Sequence, residues 1–173
     1  MKWIDRKFDF DFPVSRYPEF IQKLKDTIPH LHFLVHSTRL DFLKIKVDEK
    51  WSIQEIIGHL NSTDQLLAGR LEDYLEEKEE LRPADLSGNR TNQENYNDSE
   101  IRYILKQFDE QRSAFLQKLE TLDAQIFERT ALHPRLQIPM RLCDMLYFYT
   151  EHDQHHLNRI TELLEQFEAN DEL

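Results

Sequence analysis

Apolar residues recur at every third or fourth position along most of the chain, which is the spacing of amphipathic α-helices. Four stretches carry this pattern, and they predict helices over about Pro18 to Leu43, Ser52 to Glu79, Asp98 to Leu122 and Met140 to Glu168. The chain has only 3 glycines and 6 prolines, so residues that favour turns are too scarce for many short strands. The hydrophobic pattern therefore predicts an all-α protein.

The connections between these stretches predict how the helices are arranged. Residues 81–97 gather Pro, Gly, Asn and Ser, and residues 123–139 carry Pro134 and Pro139, so both segments are predicted to be irregular. Four long helices with a long crossover between the second and the third predict a four-helix bundle. The crossover lets the second and third helices run parallel, which gives the order up-down-down-up. We expect one domain over residues 1–173.

The charge and cysteine content exclude several classes of protein. The net charge is -11 and the calculated pI is about 5.2, whereas nucleic acids and anionic membrane surfaces are bound by clustered Lys and Arg. No stretch approaches the roughly 18 apolar residues of a membrane span, and "MKWIDRKFDFDFP" lacks the continuous apolar run of a signal peptide. Cys143 is the single cysteine, which excludes an internal disulfide and favours a cytoplasmic setting.

Candidate metal ligands lie in the last predicted helix, where "TEHDQHHLNR" contains three histidines. Two histidines four residues apart on a helix can bind one ion, and both His152 with His156 and His32 with His36 have this spacing. On a helical projection, His156 and His152 lie about 40° and about 80° from the centre of the apolar stripe. The other pair lies about 100° and about 140° from its own stripe. Direction therefore favours His152 and His156 as the pair that faces the bundle interior.

A third ligand has to come from another helix, and His59 in "WSIQEIIGHLNST" is the candidate. It lies on the flank of the second apolar stripe, about 120° from its centre, where a neighbouring helix can meet it. The same position suits a partly exposed or hydrogen-bonded histidine, so the pattern leaves both interpretations open. Three imidazoles would leave a coordination position free for water or substrate, as in catalytic zinc sites.

Other polar residues also lie on the apolar sides of these helices. Asp64 and Asp153 fall about 20° from the centres of their stripes, where a carboxylate needs a partner. They would either orient metal-bound imidazoles or pair with a buried arginine such as Arg70 or Arg102. Tyr149, one turn before the histidine pair, would either donate a hydrogen bond to a substrate or belong to the core. Tyr149 and Asp153 are the candidates for a catalytic role.

Three motifs together resemble the DinB-like superfamily, and in particular its YfiT-type metal-dependent hydrolases and bacillithiol S-transferases. They are "WSIQEIIGHLNS" at the start of the second helix, "RTALHP" before the last helix and "EHDQHHLNRI" within it. The resemblance covers roughly residues 14–165. It implies a four-helix bundle in which His59, His152 and His156 hold a divalent ion, and it implies a homodimer. His133 and Pro134 match the "HP" of the family.

The resemblance also implies a reaction. Family members of known activity use metal-bound water or a low-molecular-weight thiol against small electrophiles, so we expect a metal-dependent hydrolase or a thiol S-transferase with a small-molecule substrate. A bound ion would lower the pKa of water toward ~7 or deprotonate a thiol. Imidazole ligands suit zinc and nickel alike. The alternative is a non-catalytic helical binding or assembly module in which the histidines hold a structural metal or none.

Overall fold

Four long helices and one short helix account for most of the protein. The computed structural model describes residues 3–85 and 89–171. The helices are α1 (Tyr17–His36), α2 (Ile53–Leu75), α3 (Asn89–Gln93), α4 (Ile101–Glu120) and α5 (Leu142–Asp171). The four long helices confirm the all-α prediction, and α3 lies in the segment that was predicted to be irregular. No helix within the described residues is long and apolar enough to cross a membrane.

The helix ends show where the hydrophobic pattern extended too far. The first helix was predicted to reach Leu43, but α1 ends at His36, where the hydroxyl of Thr38 donates to the carbonyl of Leu34 at 2.6 Å. The second helix begins as predicted, because the hydroxyl of Ser52 accepts from the amide of Glu55 at 3.2 Å and Glu55 accepts from the Ser52 amide at 2.8 Å. These two bonds form the capping box.

A small antiparallel hairpin joins α4 to α5, and it was not predicted. Its strands are β1 (Thr130–Leu132) and β2 (Pro139–Arg141), with Ala131 opposite Met140. Residues 123–139 had been predicted to be irregular. That prediction is wrong for the strands because three-residue strands are too short to show an alternating pattern. The backbone of Leu132 also pairs with Glu79 and Leu81, which ties the segment after α2 to the hairpin.

Two core clusters, one toward each end of the bundle, establish the direction of the helices. One cluster joins the beginnings of α1 and α5 to the ends of α2 and α4, through side chains that include Phe20, Leu71, Phe115 and Leu146. The other joins the ends of α1 and α5 to the beginnings of α2 and α4, through side chains that include Leu34, Ile56, Leu105 and Ile160. Thus α1 and α5 run one way and α2 and α4 run the other, which confirms the order up-down-down-up.

The crossover from α2 to α4 packs back against the beginning of α2. Tyr96 in the crossover is buried over Gly58, where an added Cβ would lie 2.3 Å from the ring of Tyr96. The hydroxyls of Tyr96 and Ser62 are 2.7 Å apart, and the side-chain amide of Gln54 donates to the Tyr96 carbonyl at 2.5 Å. Because Gly58 precedes His59, these contacts fix the crossover beside one of the candidate ligands.

A buried ion-pair network lies between the two core clusters. Arg112 on α4 donates through two nitrogens to Asp64 on α2, at 2.7 and 2.9 Å, and through Nη1 to Asp153 on α5 at 2.7 Å. The hydroxyl of Thr27 and the carbonyl of Leu24 connect α1 to the same group. The two acids on the apolar stripes therefore do pair with a buried arginine. Their partner is Arg112 rather than Arg70 or Arg102.

Candidate metal centre

His59, His152 and His156 meet at one point between α2 and α5. His152 and His156 lie one turn apart on α5, and His59 faces them from α2. The Nε2 atom of His152 is 3.3 Å from Nε2 of His59 and 3.2 Å from Nε2 of His156. Each histidine offers one ring nitrogen such that the three atoms lie within 4.8 Å of one another. The sequence-predicted set is therefore brought together in space.

The spacing of these nitrogens fits a common metal ion. Two nitrogens that bind one ion at about 2.0–2.1 Å and at tetrahedral angles lie about 3.3–3.4 Å apart. A neutral imidazole nitrogen carries either one hydrogen or one lone pair. Nε2 of His152 therefore cannot form a full hydrogen bond with Nε2 of His59 and with Nε2 of His156 at the same time. A shared cation would satisfy all three nitrogens. No carboxylate joins this group among the described residues.

The environment keeps the three imidazoles neutral. Burial, followed by the nearby His155, lowers the pKa of His59 to about 4. Burial and the neighbouring imidazoles lower the pKa of His152 and His156 well below the ordinary value. Neutral imidazole is the form that binds a metal. The cluster is therefore ready to act as a ligand set at neutral pH without releasing protons.

The crossover orients His59. Its Nδ1 is 3.3 Å from the hydroxyl of Thr91 on α3, and the ring of Trp51 lies 4.8 Å from the imidazole between ring centres. Trp51 is held in turn by a hydrogen bond from its indole nitrogen to Asn92 at 3.0 Å. When Nδ1 donates its hydrogen to this hydroxyl, Nε2 keeps its lone pair toward the other histidines, as in many metal sites. Sequence reasoning missed Thr91 because no periodic pattern connects it to α2.

The N-terminal segment forms an aromatic wall on the other side of the cluster. The ring centre of Trp3 lies 5.1 Å from that of His152, and it is also 5.1 Å from that of Phe148. Phe8 packs against both aromatic rings, at 5.0 Å from Trp3 and 4.8 Å from Phe148. This wall shields His152 from water. The clustering of aromatic residues in "WIDRKFDFDF" was the available signal for this wall, which was not predicted.

The other candidate pair, His32 and His36, lies away from the cluster, as its direction predicted. His36 is exposed, and His32 is partly exposed with its Nε2 2.8 Å from a carboxylate oxygen of Asp109. His155 lies outside the cluster, with its ring centre 5.1 Å from that of His156. Helical direction therefore separated the clustered pair from the outward-facing pair.

Comparison with known proteins identifies the family. A model of the DinB superfamily matches residues 23–160. The chain belongs to the DinB superfamily. Among solved structures, YfiT from Bacillus subtilis, described as a probable metal-dependent hydrolase with an unusual four-helix bundle topology, shares the fold with a TM-score of 0.82. The two are 22% identical, and the match covers 94% of this chain and 93% of that one. A search of curated proteins found no match.

The two candidate catalytic residues of this DinB-superfamily protein occupy different surroundings. Tyr149 is buried with its ring centre 6.3 Å from that of His152, and burial raises the pKa of its hydroxyl to about 12. It therefore remains a hydrogen-bond donor at neutral pH. Asp153 follows His152 but turns away from the imidazoles toward Arg112 and Thr27. Its carboxylate faces the network between the two cores.

Proposed function

We propose that this DinB-superfamily protein is a metal-dependent enzyme that acts on a small molecule. A divalent ion, zinc or nickel, would be held by His59, His152 and His156. The observation that carries the proposal is the convergence of three neutral imidazoles from two helices, with nitrogen separations of 3.2 and 3.3 Å that suit one ion. The remaining coordination positions would serve the reaction.

The metal would supply a nucleophile at neutral pH, by activating water or by binding a thiol as thiolate. The protein's residues would prepare the surroundings. Trp3 and Phe148 exclude water from the side of His152, whereas His59 is only partly buried and gives a substrate its approach. Low water content strengthens electrostatic interactions in a site. The reaction would be hydrolysis or the transfer of a thiol to an electrophile.

A thiol nucleophile would have to be a low-molecular-weight co-substrate. Cys143 is the chain's single cysteine and is buried, and burial raises the pKa of its thiol to about 11. Its sulfur donates weakly to the carbonyl of Val14 at 3.5 Å, at the beginning of α5 and away from the histidine cluster. The protein therefore offers no reactive thiolate of its own.

Tyr149 is the residue that we propose to touch the substrate from the protein side. Its hydroxyl keeps its proton because the surroundings raise its pKa, so it can donate a hydrogen bond to a group that gains negative charge. Asp153 would act as a positioning residue, because it attaches the turn of α5 that carries His152 to Arg112. The positions of the two side chains support these roles.

We also propose that the protein works as a cytoplasmic homodimer with the chain as one domain. The resemblance to dimeric family members supports the dimer, and the lone, buried Cys143 suits a reducing compartment. Sedimentation analysis of the purified protein at several concentrations tests the dimer. A monomer throughout would contradict it.

The experiment that tests the activity is a screen of low-molecular-weight thiols, and of water alone, against a model electrophile. The metal-loaded wild type should be faster than metal-stripped protein, and the His156→Ala variant should fall to the metal-stripped rate. A His36→Ala variant is the matched control, because His36 is an exposed histidine on α1. If metal-loaded protein is no faster than stripped protein, the non-catalytic binding or assembly module becomes the better account.

A further inference from the structure

Arg70 is a buried cation, and it stands out by its lack of an acidic partner in the part of the chain that the structure describes. It lies on α2 with 2% of its surface exposed. Its Nε donates to the carbonyl of Arg82 at 3.1 Å, and its Nη1 lies 3.9 Å from the sulfur of Met145. Among the described residues, no Asp or Glu forms an ion pair with it. Arg112 is equally buried but has two carboxylates. Because burying an unpaired charge is costly, Arg70 calls for an anion.

His133 presents a second donor to the same place. Its Nδ1 accepts from the amide of Leu136 at 3.1 Å, and its Nε2 is 3.1 Å from Nη1 of Arg70. Burial, together with the charges of Arg70 and Arg135, lowers the pKa of His133 to about 3, so the ring is neutral. A neutral ring that accepts at Nδ1 carries its hydrogen on Nε2. Two N–H donors thus face each other and need a shared acceptor.

The place where these donors meet is next to the candidate metal centre. Tyr149 has its ring centre 6.3 Å from that of His152, and its hydroxyl interacts with Arg70. The ring of His133 lies 5.4 Å from Phe148, which belongs to the aromatic wall. Arg82 and Pro134, which adjoin the two donors, line a surface depression of about 570 Å³ together with Asp73, Lys78 and Glu80, whereas the buried Arg70 and His133 do not line it.

We propose that Arg70 and His133 form a binding site for an oxyanion, the carboxylate or phosphate group of the small-molecule substrate. The inference rests on the proposed function only in taking the bound anion to be a substrate, because the arrangement of the two donors does not depend on a metal. A guanidinium matches the geometry of both oxyanions, and an oxygen shared by the two N–H groups relieves the donor conflict. The substrate would then be an anion, anchored beside Tyr149 with its reacting group toward the three histidines.

The test uses metal-stripped full-length protein and two probes, formate and inorganic phosphate, each compared with chloride at equal ionic strength. Thermal unfolding and titration calorimetry should show saturable binding of one or both probes to the wild type. Arg70→Met should weaken that binding at least tenfold. His133→Asn keeps a side-chain oxygen that can accept from the Leu136 amide but lacks the Nε2–H group that would donate to the anion. It should also weaken binding. Arg159→Met, at a partly exposed position, is the control and should bind like wild type.

The same variants distinguish an anion site from a structural arginine. Without added anion, Arg70→Met should unfold at the same temperature as wild type or higher, because it removes an unpaired charge. Absence of saturable binding to wild type would overturn the proposal, and so would undiminished binding to both variants. A drop in Tm as large as that of an Arg112→Met variant would overturn it too, by giving Arg70 a structural role. Because these measurements use metal-stripped protein, they can be interpreted even if the three histidines bind no metal.

Discussion

Arg112 on α4 donates to the carboxylate of Asp153 at 2.7 Å, which attaches the turn carrying His152 to a helix that lies diagonally across the bundle. Burial lowers the pKa of Arg112, but its two carboxylates more than offset this and raise the pKa above the ordinary value. The guanidinium is therefore permanently charged. Its positive charge compensates the negative charges of the buried Asp64 and Asp153 carboxylates.

Removal of this arginine should destabilise the fold strongly. Arg112→Met leaves two buried carboxylates without their cation, and breaking a buried pair costs about 3–5 kcal/mol. We expect a loss of that size in the free energy of unfolding measured by urea denaturation. Arg102→Met, an exposed change on the same helix, should shift it by less than about 0.5 kcal/mol. An Arg112→Met protein as stable as wild type would contradict the role given to the network.

A methyl group at Gly58 should disturb the crossover. The Cβ of Gly58→Ala would lie 2.3 Å from ring carbons of Tyr96, which is buried and cannot move freely. Overpacking of this kind costs about 1–3 kcal/mol, and it works against the gain of about 1 kcal/mol that alanine brings to a helix. We expect a lower denaturation midpoint for the variant.

Gly69→Ala is the matched control within the same helix. The nearest atoms to its Cβ belong to the flexible side chain of Arg82, which is partly exposed and can shift. The helix propensity of alanine should therefore offset more of the cost. If Gly69→Ala proves the more destabilising of the two, the packing of Tyr96 on Gly58 is not what fixes the crossover.

Asp73 should make stability depend on acid pH. Burial acts to raise the pKa of this carboxyl, but its hydrogen bonds with Arg82 outweigh burial and lower the pKa to about 2. A folded-state pKa below the unfolded value stabilises the fold above the unfolded pKa, and the effect is lost as pH falls through the folded value. The stability difference between wild type and Asp73→Asn should therefore shrink between about pH 4 and about pH 2.

Unfolding of both proteins in urea across this range measures the difference. Arg82→Met is the control, because without its guanidinium the pKa of Asp73 should lie closer to that of the unfolded chain. The loss of stability of Arg82→Met between about pH 4 and about pH 2 should therefore be smaller than that of wild type. A difference between wild type and Asp73→Asn that stays constant from pH 6 to pH 2 would contradict the assignment.

The sequence could predict the bundle and the inward direction of His152 and His156 because both depend on periodicity within helices. The direction of His59 left its role open, and its place among the ligands was implied by the family resemblance. Helical direction placed His152 and His156 inward, and the start of the second helix at Ser52 was predicted correctly. The partner of Asp64 and Asp153 was not readable. Arg112 lies on a different helix from either acid, and periodicity says which side a residue faces but not which residue it meets.

The surroundings of the cluster were beyond the reach of the sequence for the same reason. Thr91 reaches His59 from the crossover, and Trp3 reaches His152 from the N-terminal segment. Neither segment has a long periodic stretch, so their paths depend on packing against the four long helices. The strands of the hairpin were missed because pairing, rather than their three-residue sequences, defines them.

Metal analysis of the freshly purified protein tests the central claim most directly. Wild type should contain about one equivalent of zinc or nickel per chain, and His59→Ala, His152→Ala and His156→Ala should each lose it while keeping the helical circular dichroism spectrum. The double variant His32→Ala/His36→Ala removes the other i, i+4 pair and should retain the metal. Wild-type protein that binds no divalent ion even when zinc and nickel are supplied, or full metal content in all three single variants, would contradict the claim.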